Sequence, residues 1–479
     1  MTDSTPQSRL PRTGVILLIG ALLLVIGVVL LIGGGTLIVW LPYHRNQSAI
    51  AEIEKLGGTA FTEIVRPDWI PDALDDEYLA VFERVNKVDF IDTQANDAGL
   101  EHLRGLTQLQ SLRLSDTQVG DAGLEHLGEL TNLVELWLHG IQVSDAGLEH
   151  LSGLTSLSTL WLNNTQVSDV GLEHLPGLTS LRILSLGNTQ ISDAGLEHLG
   201  GLTNLVELQL HNTQVSDAGL EHLSGLTSLS TLLLHDTQVG GAGLEHLRGL
   251  TKLQFLSLNK TRVSDAELEY LSGLNSLSTL FLHDTQVSDV GLEHLRGLTK
   301  LRWLSLGNSR VSNIGLEQIS GLINLETLSL GNTQVSDVGL ERLQGLTNLR
   351  SLSLFNTQVG DAGLEHLRGL THLEILTLHN THVGDAGLEH LGELTNLVEL
   401  WLNNTQVSDA GFEHLRGLTN LRDLNLYDTR VSDAGLEHLR GLTRLEHLWL
   451  DNTQVTQAGI EKLQKALPGC DIRWTPPSE

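Results

Sequence analysis

The chain has 479 residues and a formal charge of −29, from 29 basic against 58 acidic side chains. That balance excludes nucleic acid as a partner, because phosphates require Lys and Arg. A single cysteine, Cys470, excludes an intramolecular disulfide.

Residues 1–12 form a short polar tail, and residues 13–43 carry no charge. Within them Val15–Leu41 is 27 residues of almost entirely apolar side chains and Gly. A helix at ~1.5 Å per residue spans about 40 Å there, more than the ~30 Å hydrocarbon core of a bilayer. A cleavable signal peptide has an apolar region of only roughly 7–15 residues. Residues 13–43 are therefore expected to be one transmembrane helix, an uncleaved signal anchor in the lipid bilayer. Arg9 and Arg12 on one side balance Arg45 and Lys55 on the other. The short tail then sets the expected orientation of a single-pass membrane protein, with the bulk of the chain on the extracytoplasmic side.

Residues 44–81 are expected to form a cap. Ile50, Ile53 and Leu56 share one helical stripe, which Gly57 and Gly58 end. Phe61–Val65 is β-prone, and Asp75–Val85 reads as a helix with Leu79, Phe82 and Val85 inward.

From residue 82 to residue 465 a 24-residue pattern recurs sixteen times in register. In its third copy Leu136 and Leu138 are two apart, the period of a strand, while Leu148 and Leu151 are three apart, the period of a helix. Ser144 before Asp145 offers a helix N-cap. A strand and a short helix in fixed order require parallel strands on one face and helices on the other. Residues 466–479 are expected to supply a final cap strand and tail, with Trp474 over the last Leu row. The Gly opening each helix, such as Gly147, reads as a site of close helix-to-sheet packing and not of obligatory positive φ, because Glu267 occupies that position in one copy.

The pattern LTxLxxLxLxxTxVxDAGLxxLxGL resembles the bacterial leucine-rich-repeat proteins, with internalins as more distant relatives. The resemblance implies an α/β solenoid, a horseshoe with a concave parallel sheet and short convex helices. The family's usual Asn after the strand is Thr in 14 of 16 copies, Ile141 and Ser309 being the exceptions. A Thr hydroxyl is expected to bond the neighbouring turn's backbone, a ladder that Ile141 interrupts.

Two columns account for half the acidity: Glu in all 16 helices and Asp at the start of 13. Both are expected to be solvated faces. His fills one helix position in 12 copies. Neighbouring helices are roughly 10 Å apart, too far for one ion to bridge, so no metal and no other cofactor is expected. Ser, His and Asp recur only at repeat spacing, which carries no catalytic information, and an enzyme is not expected.

On each strand the residues beside the inward Leu pair face outward. Aromatic side chains stand out there: Trp137, Trp161, Phe281, Trp401 and Trp449 between the two Leu, and Phe255 and Trp303 before them. His139, His235, His283 and Tyr427 follow the second Leu, and Glu135 and Glu399 precede the first. At the ~4.8 Å strand spacing Trp137 and Trp161 are expected to be neighbours, and Phe255, Phe281 and Trp303 to form a second patch. Exposed aromatics on an otherwise polar face suit contact with a protein, a peptide or a glycan. The expected function is a membrane-anchored scaffold binding such a partner on the concave face. The alternative is a structural or self-assembling envelope protein whose aromatics only stack along the sheet.

Overall fold

The computed structural model describes residues 41–66 and 76–475. The expected membrane span lies outside them except for its last three residues. Among the described residues no helix is long and apolar enough to cross a membrane. The chain divides into two compact units, Met1–Leu157 and Ser158–Glu479.

In the first unit, helical backbone runs over 41–55 and buries Asn46, Ala49 and Ile53. Gly57 closes it at φ 84°, and the Gly58 N–H donates to the Ile53 carbonyl at 2.9 Å, the left-handed stop that Gly favours. Strand Thr59–Ile64 pairs antiparallel with Glu83–Asp89. Asp76–Phe82 is a 3-10 helix and not the longer helix expected, because the chain is already extended from Glu83. Leu79, Phe82 and Val85 are buried, as their spacing requires. Strands Ser111–Arg113 and Glu135–Trp137 continue this sheet in parallel.

The second unit is the repeat in its plain form. Fourteen strands, from Thr159–Trp161 to Asp471–Arg473, pair in parallel, each residue opposite the one 24 places on. In the copy 178–201, Leu178, Leu181, Leu184, Leu186, Ile191, Leu196 and Leu199 are all 0% exposed. Each such side chain contributes about 1.5–3 kcal/mol by leaving water. The helix is one α-turn, Asp193–Leu196, tightened into the 3-10 turn Glu197–Leu199. At the end of the chain Trp474 donates its indole N–H to the Val455 carbonyl at 3.1 Å.

Three columns differ from expectation. The Asp column is a clamp between repeats and not only a solvated face. Asp289 Oδ1 accepts from the Ser312 backbone N–H at 2.7 Å, and Oδ2 accepts from the Ser312 hydroxyl at 2.6 Å. Ser192, Ser216, Ser288, Ser408 and Ser432 are held alike. The serine therefore bonds the preceding repeat, whereas capping of its own helix by the side chain is seen at Ser312 and Ser432. The Glu column does face solvent, as at Glu197 and Glu341.

The helix Gly is needed for that clamp. A Cβ on Gly315 would lie 2.5 Å from Asp289 Oδ1. In one copy the pair is exchanged. Gly241 replaces the Asp, and Glu267 replaces the Gly 26 residues later. The Glu267 carboxylate then accepts from the Ser264 hydroxyl at 2.7 Å, entering the vacated space from the opposite side.

The Thr hydroxyl stays within its own turn. Thr213 Oγ1 donates to the Leu210 carbonyl at 2.6 Å, and Ser309 does the same to Leu306. Ile141 is simply buried. The residue before the Thr column is left-handed throughout the second unit, from Asn164 to Asn452, with φ between 51° and 58°. Asn and Asp fill this column, except Lys260.

Candidate interaction face

Each strand presents three outward positions: before, between and after its two inward Leu. In the first unit these side chains are occupied within the chain. The Arg113 guanidinium lies 4.2 Å from the Trp137 ring centroid and 3.6 Å from Asp89. Glu135 accepts from the Ser111 hydroxyl at 3.1 Å. His139 Nδ1 meets the Ser115 hydroxyl at 2.7 Å.

In the second unit Trp161 sits on the strand Thr159–Trp161, opposite Ser185. His211 lies over Gly187, whose missing side chain makes room for the ring, and stacks on His235 at 4.7 Å and 8°. Burial lowers the pKa of both imidazoles; a second histidine adds to this at His211, while Asp236 opposes it. Phe255 and Phe281 meet edge to face at 5.2 Å. Trp303 does not complete that patch. It is 47% exposed and makes no ring contact among the described residues, because Thr279 separates it from Phe255 in its column. His283 faces Asp284 at 2.9 Å.

The longest assembly is further along. Phe355 lies over Gly331 and stacks on His379 at 4.7 Å and 2°. His379 touches Trp401 at 6.0 Å, Trp401 touches Trp449 at 6.5 Å, and Trp449 stacks on His447 at 5.7 Å. Tyr427, 46% exposed, stands beside this ribbon in the position after the second Leu. Glu399 and Asp423 are directly opposite on adjacent strands before the first Leu. Burial, then Asp423, raises the Glu399 carboxyl above its ordinary pKa, and the nearby Trp401 indole opposes the rise. Asp423 Oδ1 meets His447 Nδ1 at 2.6 Å.

Two buried polar atoms here, His379 Nδ1 in the ribbon and Asn403 Oδ1 two residues after Trp401, have no hydrogen-bond partner in the protein. A polar atom shut from water without a partner costs about 1–3 kcal/mol. Burial lowers the pKa of His379, so its ring is neutral at physiological pH. The ribbon can thus offer aromatic faces, hydrogen-bonding groups and negative charge together.

Sequence reasoning identified Glu399, Trp401, Tyr427 and Trp449 but missed His211, Phe355, His379, Asn403, Asp423 and His447. Phe355, His211 and His379 occupy the same column as Tyr427, so reading that column in full would have found them. Among the described residues no group of His, Cys, Asp and Glu is arranged to hold a metal ion.

Comparisons with known proteins agree with this architecture. Residues 257–457 match the family described as a leucine-rich repeat region. Residues 155–201, 179–223 and 105–128 match shorter leucine-rich-repeat families. The chain is similar to an internalin, InlF, of Listeria monocytogenes at 28% identity and TM-score 0.56, over 68% of this chain and 88% of that one. It is also similar in fold to a leucine-rich-repeat protein of Leptospira interrogans, at 21% identity and TM-score 0.60, over 76% and 96% of the two chains. No curated protein matches the sequence. Proteins of this fold are typically non-enzymatic scaffolds for protein–protein interaction, and no catalytic family is indicated.

Proposed function

We propose that this leucine-rich-repeat protein is a scaffold that binds a protein or peptide on the strand-side face of its solenoid, anchored in a membrane by residues 13–43. The ribbon Phe355–His379–Trp401–Trp449–His447 carries the reading. Ring stacking alone would favour a sequence whose buried polar atoms are satisfied, and His379 Nδ1 and Asn403 Oδ1 are not. Trp161, Phe255, Phe281 and Trp303 extend the face toward earlier repeats. The uncharged span favours a single-pass anchor, and the short N-terminal tail favours the repeats on the extracytoplasmic side.

The full chain, purified in detergent, serves as bait against a membrane and envelope extract, beside Trp401→Leu and Trp449→Leu variants. Partners lost from both variants, with an unchanged melting curve, support the reading. Partners identical for all three proteins overturn it.

One observation favours the second reading, self-assembly. Val290, Ile314 and Val338 take the same helix-side position in three successive repeats and are 66–67% exposed. Concentration-dependent assembly abolished by changing all three to Ala would favour it.

A further inference from the structure

The strands of the first unit carry one complete arrangement around a tryptophan, and those of the second carry one lacking a single component. Around Trp137 the chain supplies everything itself: the indole, the Arg113 guanidinium 4.2 Å over it, and the Asp89 carboxylate at 3.6 Å. An indole face attracts a cation, and a carboxylate beside it adds direct charge pairing.

Around Trp401 and Trp449 the indoles and carboxylates are present without the cation. Glu399 and Asp423 face each other across adjacent strands, a pairing of like charges that destabilises a sheet unless something neutralises it. Nearby cations are engaged elsewhere. Arg422 pairs with Glu446 at 2.7 Å, and Arg473 pairs with Asp471 at 3.5 Å. Among the described residues cations lie over Phe61, Trp137 and Tyr270, and over neither Trp401 nor Trp449. The His447 imidazole meets Asp423 and the Trp401 indole lies by Glu399, and neither supplies a fixed positive charge. Asn403 Oδ1, an acceptor with no donor, lies on the same strand-side face. An acceptor, two carboxylates and two aromatic faces all select a donor-rich positive group.

We propose that the face built by Trp401, Trp449, Glu399 and Asp423 binds an arginine side chain of a basic peptide segment. The guanidinium is planar, so it stacks on an indole while its N–H groups reach carboxylates, as Arg113 does within this chain. This proposal rests on the scaffold reading above and specifies the partner's chemistry.

The test uses the full chain in detergent and a labelled, end-blocked peptide Gly-Arg-Gly-Arg-Gly, with fluorescence anisotropy as readout. Its citrulline analogue, of the same shape but uncharged, and a neutral maltooligosaccharide are titrated beside it. The arginine peptide is expected to bind at least tenfold more tightly than the citrulline peptide. Trp401→Leu and Glu399→Gln should each weaken it at least fivefold. Glu341→Gln, which removes the same charge from the helix side, should leave it unchanged and so separates this site from attraction to an acidic protein as a whole. Equal binding of the two peptides overturns the proposal, as does equal weakening by Glu399→Gln and Glu341→Gln, or no binding at millimolar peptide. Saturable maltooligosaccharide binding lost in Trp401→Leu also overturns it, in favour of a glycan. None of these failures touches the scaffold reading, which the capture experiment with Trp401→Leu and Trp449→Leu decides by itself.

Discussion

The exchanged pair Gly241 and Glu267 makes a sharp prediction about what holds the repeats together. In most other copies an Asp in one helix accepts from the backbone N–H at the start of the next, and from its hydroxyl where that residue is Ser, and a Gly 26 residues on leaves room for it. At 241 and 267 the carboxylate comes from the other partner. Glu267→Gly removes the acceptor of the Ser264 hydroxyl and restores none at 241. Losing a hydrogen bond to a charged acceptor costs roughly 1.5–3 kcal/mol. Gly241→Asp alone places a side chain where Glu267 already lies, overpacking that costs about 1–3 kcal/mol. The double exchange rebuilds the arrangement of the neighbouring repeats and should return to native stability. The two changes should therefore couple by about 2 kcal/mol or more, toward the upper end for residues in contact. Hydrogen exchange of the amides in 240–270 reads this locally, which suits a solenoid whose stability is a sum over neighbouring repeats. Additive losses in the double variant would refute the clamp.

Further expectations concern single positions. Lys260→Asn should stabilise the chain by about 0.5–1 kcal/mol, because Lys260 is the one long side chain in the left-handed column of the second unit, and denaturant titration would show it. Glu399→Gln should raise the melting temperature at neutral pH. The raised folded pKa means ionisation opposes folding, so the gain should fade as pH falls toward 4.5. The stacked His211, His235 and His379, with folded pKa values below 6.5, impose no cost at pH 8. Stability should be lost as pH drops below about 6.5, where the unfolded imidazoles take up protons first. Chemical-shift titration should find these three rings still neutral at a pH where unburied imidazoles are charged.

The repeat, its strand and helix order and its inward Leu rows were legible because hydrophobic period and register state them directly. That the helix Gly is there for close packing was legible through the exception at Glu267, but its partner is the preceding repeat's Asp and Leu and not the sheet. The clamp was not, because a carboxylate at a helix start looks the same whether it meets water or the next turn's amide. The left-handed column was equally hidden, since it lies in a turn where no hydrophobic period marks backbone conformation. Of the face, the large aromatics stood out singly. Their joining into one ribbon through His379, and the separation of Trp303 from Phe281, depend on side-chain rotamers and on the glycines that let rings lie down.

On the proposed function, a partner sits on the strand-side face around the ribbon. A photo-crosslinking residue at Asn425, between Trp401 and Trp449 in their column, tests it in the full chain inside the producing cell. A second at Glu341 reports on the helix side. A discrete crosslinked product is expected from position 425 and none from 341. The same product from 341, with none from 425, would contradict it.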